Sequence, residues 1–167
     1  FKHKIFIAGN HDFGFEHGFE IDQEFKDMGV IYLQDSEVTI DGVKFYGSPW
    51  QPEFYDWAFN LPRGEKLAQK WSKIPGNTDI LITHGPVYGL LDYAPHGGHV
   101  GCEELYRRVF DVKPKIHVCG HIHGAYGQKS IEGVEFLNAS VLDERYEHAH
   151  KPIVVEFNTE TKEVVYA

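Results

Sequence analysis

The sequence predicts a layered α/β protein with mixed β-sheets flanked by helices, and three observations carry that prediction. Short apolar runs alternate with segments of helical period along most of the chain. Three of those runs end in polar loops that carry glycine and histidine. After them, the C-terminal part becomes a succession of strand-like segments joined by tight turns. No repeat, low-complexity tract or long Ser/Pro-rich linker interrupts the sequence, so residues 1–167 read as a single domain.

In chain order, Lys4-Ile5-Phe6-Ile7-Ala8 is an apolar run closed by Gly9-Asn10, the pattern of a fully buried strand running into a loop. Ile21, Phe25 and Met28 follow at i, i+4 and i+7 and stop at Gly29, which predicts a helix. Asp41-Gly42 is a hairpin turn that sets Ile40 opposite Val43 and Val38 opposite Phe45. Thr39 and Lys44 share the other face, so one side of the hairpin is buried. The aromatic and proline-rich stretch from Ser48 to Pro62 reads as an ordered loop packed by its own Trp and Phe side chains. Leu67, Trp71 and Ile74 mark a second helix, closed by Pro75-Gly76. Asp79 to Thr83 is a second buried strand, which runs into His84-Gly85-Pro86. A helix through Leu105, Val109 and Phe110 stops before Pro114. Lys115 to Cys119 then forms a third strand leading into Gly120-His121-Ile122-His123-Gly124. The remainder reads as antiparallel: Gln128 to Ile131, a Glu132-Gly133 turn, Val134 to Leu137, Ile153 to Phe157 and Glu163 to Tyr166.

Composition narrows the function. Apolar residues make up 42% of the chain and aromatic residues 14%, enough to bury a core. No apolar run approaches the roughly 18 residues that span a bilayer, and Phe1 to Phe6 lacks the layout of a signal peptide. Membrane insertion is excluded on this pattern. The net charge of −9 creates a field that repels polyanions and disfavours long nucleic acids as partners. Cys102 and Cys119 lie in no pairing or metal motif, which suits a reducing compartment and predicts a cytoplasmic location.

The eleven histidines are the outlier, and they are not gathered into a tag-like run. Three strand ends deliver polar clusters: Gly9-Asn10-His11-Asp12, Thr83-His84-Gly85-Pro86 and Gly120-His121-Ile122-His123. In open α/β sheets the carboxyl ends of strands host ligands, because the loops there converge, so these clusters are expected to meet in space. A lone histidine in a turn more often satisfies backbone groups, yet three such events at equivalent points argue against coincidence. Imidazoles combined with an Asn oxygen suit a catalytic cation site of open coordination and disfavour a closed zinc finger. His121 and His123, at i and i+2 on a tight loop, can turn toward different metals.

These three motifs resemble those of the calcineurin-like metallophosphoesterases, whose GNH[D/E], His-Gly-Pro-like and GHxH signatures occur here in order. Ile31-Tyr32-Leu33-Gln34-Asp35, Tyr46-Gly47-Ser48-Pro49-Trp50, Asn60-Leu61-Pro62-Arg63-Gly64 and Val100-Gly101-Cys102 are similar to the branch of small metallophosphodiesterase-domain proteins. The resemblance covers nearly the whole chain and implies a metallophosphoesterase-like fold. It implies that Asn10, His84 and His121 ligate the second of two divalent metals (Mn, Fe or Zn) and that His123 ligates the first. His11 is implied to contact the substrate phosphate and assist the leaving group, with Asp12 behind it as an orienting carboxylate; the alternative for Asp12 is an ordinary turn residue. The function implied is hydrolysis of a small phosphodiester, such as a cyclic nucleotide, by metal-activated water. A phosphomonoesterase or nuclease of the same superfamily is the alternative, as is a weakly active nucleotide-binding or scaffolding protein.

One departure from the family pattern matters. The family's Asp-x-His motif and its Gly-Asp motif, the second of which supplies the bridging carboxylate, belong ahead of Gly9, where this chain has eight residues and neither motif. Every matched ligand is neutral, while two divalent cations about 3.5 Å apart repel by roughly 19 kcal/mol at an effective dielectric near 20. Phe1 is not Met and opens in mid-strand, so an upstream segment supplying those motifs is expected; otherwise the chain holds at most one metal. Asp12, Asp92 and Asp143 are the first candidates to replace the missing carboxylates.

Other residues carry weaker signals. His99 lies on a glycine-rich loop that either reaches a substrate or is simply solvated, and His148 and His150 read as solvated. His117 alternates with Ile116 and Val118 and reads as a buried structural residue, as do the two cysteines. Asn138-Ala139-Ser140 matches a glycosylation sequon but has no secretion signal to go with it. Trp50, Trp57 and Tyr88 either stack a base or pack their loops.

Overall fold

The computed structural model describes residues 1–21 and 23–165, with only the backbone described at Val165. Its first elements are β1 (Lys4–Phe6), α1 (Phe13–Glu16), α2 (Gln23–Asp27) and β2 (Val30–Tyr32). They are followed by the hairpin of β3 (Ser36–Ile40) and β4 (Val43–Ser48) and by two short strands, β5 (Gln51–Pro52) and β6 (Asn60–Leu61). Next come α3 (Glu65–Trp71), β7 (Ile80–Thr83), the short pair β8 (Tyr93–Ala94) and β9 (Gly98–His99), and α4 (Glu103–Val112). β10 (Ile116–Cys119), a 3-10 turn (His123–Ala125), β11 (Gly127–Ile131), β12 (Val134–Asn138), β13 (Glu156–Phe157) and β14 (Val164–Val165) complete the order.

Six strands form the main sheet in the order β11-β12-β10-β7-β4-β3. The four inner strands are mutually parallel, and the edge strands β11 and β3 are antiparallel hairpin partners of β12 and β4. The Asp41-Gly42 turn has both residues at positive φ, 48° and 77°, as a type I′ turn requires, and it sets Ile40 opposite Val43 and Val38 opposite Phe45 as the sequence predicts.

Side-chain alternation divides the sheet into two faces. Tyr46, Leu81, His117 and Phe136 stand in one cross-strand row. Of these, Tyr46, Leu81 and Phe136 pack with Leu67, Trp71 and Ile74 at α3 and with Leu105 and Val109 of α4. Cys102 caps α4, its Sγ accepting from the Leu105 N–H at 3.4 Å. On the opposite face Phe45, Ile80, Ile82, Ile116, Val118 and Leu137 meet Ile153, Val155 and Phe157.

Several expectations are corrected. β1 is not a fully buried strand of the main sheet; it pairs in parallel with β2 in a separate two-stranded sheet, and Ile5 and Phe6 are half-buried. α2 forms where the apolar spacing places it, but Phe25 and Met28 remain 49% and 53% exposed, because helical period marks a face without supplying something to cover it. Ile153 and Val155 pack on the second face without ladder pairing, so β13 begins only at Glu156. The predicted end of the last strand, Tyr166, lies outside the described residues.

Candidate metal centre

β7 and β10 lie side by side and parallel, so the loops that follow them leave the same edge of the sheet. The Gly120 N–H donates to the His84 carbonyl at 3.0 Å, which locks the two loops together. The rings of His84 and His121 consequently sit with centroids 4.5 Å apart. β1 brings Gly9-Asn10-His11-Asp12 to the same place from outside the main sheet, and Asn10 Oδ1 lies 2.7 Å from His84 Nε2. A Cβ on Gly9 would fall 2.5 Å from His84 Cε1, so position 9 must be glycine for the imidazole to stand there.

His84 Nε2 also lies 3.3 Å from the backbone N–H of Asn10. A single ring nitrogen serves only one of these groups. Protonated, it donates to Oδ1; bare, it accepts from the N–H and faces Oδ1 acceptor to acceptor, a juxtaposition that a shared cation relieves. Burial pushes the His84 imidazole down to about 3, helped by the neighbouring charges of His121 and His11. Burial likewise lowers His121 to about 4, with His123 and His11 contributing. Both rings are therefore neutral at pH 7, the state in which imidazole binds a metal. His121 holds this position with a left-handed backbone, φ +70°.

The remaining predicted site residues surround this group. His123 opens the 3-10 turn, and its Nδ1 lies 2.8 Å from the Asp143 carbonyl. A carbonyl only accepts, so Nδ1 carries a proton, and in the neutral ring the lone pair is on Nε2. The His123 ring packs edge-on against Tyr146 at 5.2 Å. His11 is exposed, with its ring centroid 5.5 Å from Trp57. Asp12 accepts the Gly9 N–H at 2.7 Å and so closes its own turn; among the described residues no hydrogen bond joins it to the His11 ring.

Asn10 Oδ1 and two neutral imidazoles fit part of the shell of a single cation. They do not fit a closely spaced pair, which needs anionic ligands between the charges. Among the described residues no group of three or more His, Cys, Asp or Glu side chains is placed to hold a metal ion. The carboxylates singled out from the sequence are engaged elsewhere. Asp92 is buried and accepts from the Gly89 and Gly101 N–H groups and from His99 Nδ1. Asp143 accepts from the N–H groups of Arg145 and Glu147, and these bonds lower its pKa.

Two supporting residues lie outside the three histidine-bearing motifs. Trp57, which the sequence leaves as either a stacking or a loop-packing residue, stands edge-on to His121 at 6.0 Å. Fully buried Asn138 donates to the Leu91 and Ile122 carbonyls and thereby ties the loop after β7 to the His121-Ile122-His123 loop. With its amide committed in this way, the Asn138 sequon is no glycan acceptor in the folded chain.

The family model for calcineurin-like phosphoesterases matches residues 1–125. Metallophosphoesterase domain-containing protein 1 of Homo sapiens is 43% identical over 183 aligned residues, covering 95% of this chain and 56% of that protein. UPF0046 protein T07D4.2 of Caenorhabditis elegans is 34% identical, covering 93% of this chain and 47% of its own length. The chain thus spans about half the length of the curated relatives it matches. A solved crystal structure superposes with a TM-score of 0.58 at 14% identity, over 81% of this chain and 56% of that one, a likeness of fold alone. The motifs at three strand ends, their convergence on one edge and the family match over residues 1–125 together place the chain in the calcineurin-like phosphoesterase family.

Proposed function

We propose that the chain carries the histidine-bearing part of a cation-dependent phosphoesterase centre and that its substrate is a small phosphodiester, such as a cyclic nucleotide. The convergence of Asn10, His84 and His121 carries this reading: their neutral donors come from three separate strand ends. The family to which the chain belongs supports divalent-cation chemistry. A cation held there supplies Lewis acidity at the phosphoryl oxygens and lowers the pKa of bound water. Asn10, His84 and His121 would hold it, and His123 offers a further nitrogen whose tautomer is set by the Asp143 carbonyl.

His11 is exposed beside this group and is suited to donate a proton to the departing oxygen of the substrate. The net charge of −9 favours a small ester over a long polyanion. Two free, buried thiols, Cys102 and Cys119, accord with a reducing, cytoplasmic setting.

A second reading rests on the lack of a carboxylate cluster among the described residues: a nucleotide-binding protein with weak turnover. Parallel assays with added Mn²⁺ on a diester, its monoester and single-stranded DNA separate the possibilities. Preferential diester hydrolysis supports the first reading. Affinity for the nucleotide without turnover supports the second, and preferential cleavage of monoester or DNA overturns the diester assignment.

A further inference from the structure

We propose that Trp57, with Phe54 and Tyr55, forms a binding platform for a flat aromatic ring carried by the substrate, next to the position where its phosphoryl group sits. This assignment rests on the phosphoester reading of the site. Trp57 is half-buried and touches the centre from one side, with ring centroids 5.5 Å from His11 and 6.0 Å from His121. On its other side it packs against Phe54 at 5.3 Å and Tyr55 at 5.7 Å. Phe54 and Tyr55 are 54% and 73% exposed, so the platform presents aromatic surface to solvent at the rim of the centre.

The loop backbone is held independently of these rings. Asn60 Nδ2 donates to the Phe54 and Tyr55 carbonyls, the Glu53 N–H donates to the Leu61 carbonyl, and the Ala58 N–H donates to the Asn10 carbonyl. Fully buried Ala58 and Phe59 anchor the end of the loop. Tyr55 and Phe59 both adopt left-handed backbone conformations, φ +51° and +56°, which bulky side chains rarely take. Strain of this kind persists where the surroundings impose it, and it clusters at ligand sites. Rings fixed before binding lose little freedom when a flat group stacks on them.

The test is calorimetric titration of the chain, with Mn²⁺ present, using phenyl phosphate and ethyl phosphate, which share a phosphate and differ in the flat ring. Stacking predicts that phenyl phosphate binds roughly tenfold or more tightly than ethyl phosphate. Trp57→Leu should reduce this preference to near parity by weakening phenyl phosphate far more than ethyl phosphate. Tyr55→Asn, which keeps an exposed residue tolerant of the left-handed backbone, should reduce the preference partly and serves if Trp57→Leu fails to fold. Equal binding of the two ligands by the wild type would overturn the platform and leave the phosphoester reading standing. Equal weakening of both ligands in Trp57→Leu would also overturn it, making Trp57 a structural support. Loss of ethyl phosphate binding in every form, with the phenyl preference still dependent on Trp57, would retain the platform and count against the phosphate site.

Discussion

Asn10 Oδ1 and His84 Nε2 lie 2.7 Å apart although 74 positions separate them in the chain. The contact joins the turn after β1, in its own two-stranded sheet, to the loop after β7 in the main sheet. Removing either donor should therefore weaken cation binding without unfolding the protein. His84→Ala and His121→Ala are each expected to lower divalent-ion affinity by roughly tenfold or more, as titration with Mn²⁺ would report. Unchanged affinity in either variant would remove that residue from the centre.

Gly9→Ala should act on the same property from a distance. The added Cβ would fall 2.5 Å from His84 Cε1 and 2.6 Å from Nδ1, so the imidazole must move. Cation affinity should fall about as far as in His84→Ala, while the thermal transition stays close to wild type. A variant that binds as the wild type does would show that the ring can shift without cost.

The legible parts of this molecule were those governed by local rules. Asp41-Gly42 determined the β3–β4 register to the residue, since a two-residue turn leaves no freedom of pairing. The meeting of the His84 and His121 loops followed from two apolar runs with the same polar ending, the pattern of adjacent parallel strands. β1 carries the same pattern yet stands outside the main sheet, because an apolar run encodes burial but not the partner that provides it. The pair β8–β9 has no apolar alternation to reveal it; buried Asp92 accepts from Gly89, Gly101 and His99 and closes that loop from within. At Trp57 the sequence leaves stacking and loop packing as alternatives, since it shows an aromatic loop but not the Ala58 N–H bond to the Asn10 carbonyl that orients it.

His11→Gln should leave cation binding nearly intact and lower diester turnover by roughly 10²- to 10⁴-fold, the usual contribution of a general acid. The ring is exposed beside Trp57 and is not hydrogen-bonded into the Asn10–His84 pair. Loss of the cation in this variant would make His11 a ligand instead.

Acid should destabilise the fold through His117. Its Nε2 lies 2.7 Å from Thr83 Oγ1, whose one proton is donated to the Gly85 carbonyl, so Nε2 carries a proton and the buried Nδ1 has no partner. Burial lowers the pKa to about 3, below the ordinary 6.5. Between those values the unfolded chain binds the extra proton, so stability rises with pH through that window and is fully present above it. The loss from pH 7 to pH 4 is on the order of 3 kcal/mol. His117→Gln, with an amide N–H for Thr83, should be less stable at pH 7 but show a flatter pH dependence in urea denaturation. An equally steep profile would assign the acid sensitivity to other groups.

Counting bound metal by native mass spectrometry tests the neutral-donor centre most directly. Asn10, His84 and His121 supply no negative charge, and Asp12, Asp92 and Asp143 are committed to backbone groups. The expected result is at most one divalent ion per chain, falling toward zero in His84→Ala. Two tightly bound ions in the wild-type chain would contradict it, since two such charges about 3.5 Å apart cannot be held by neutral ligands alone.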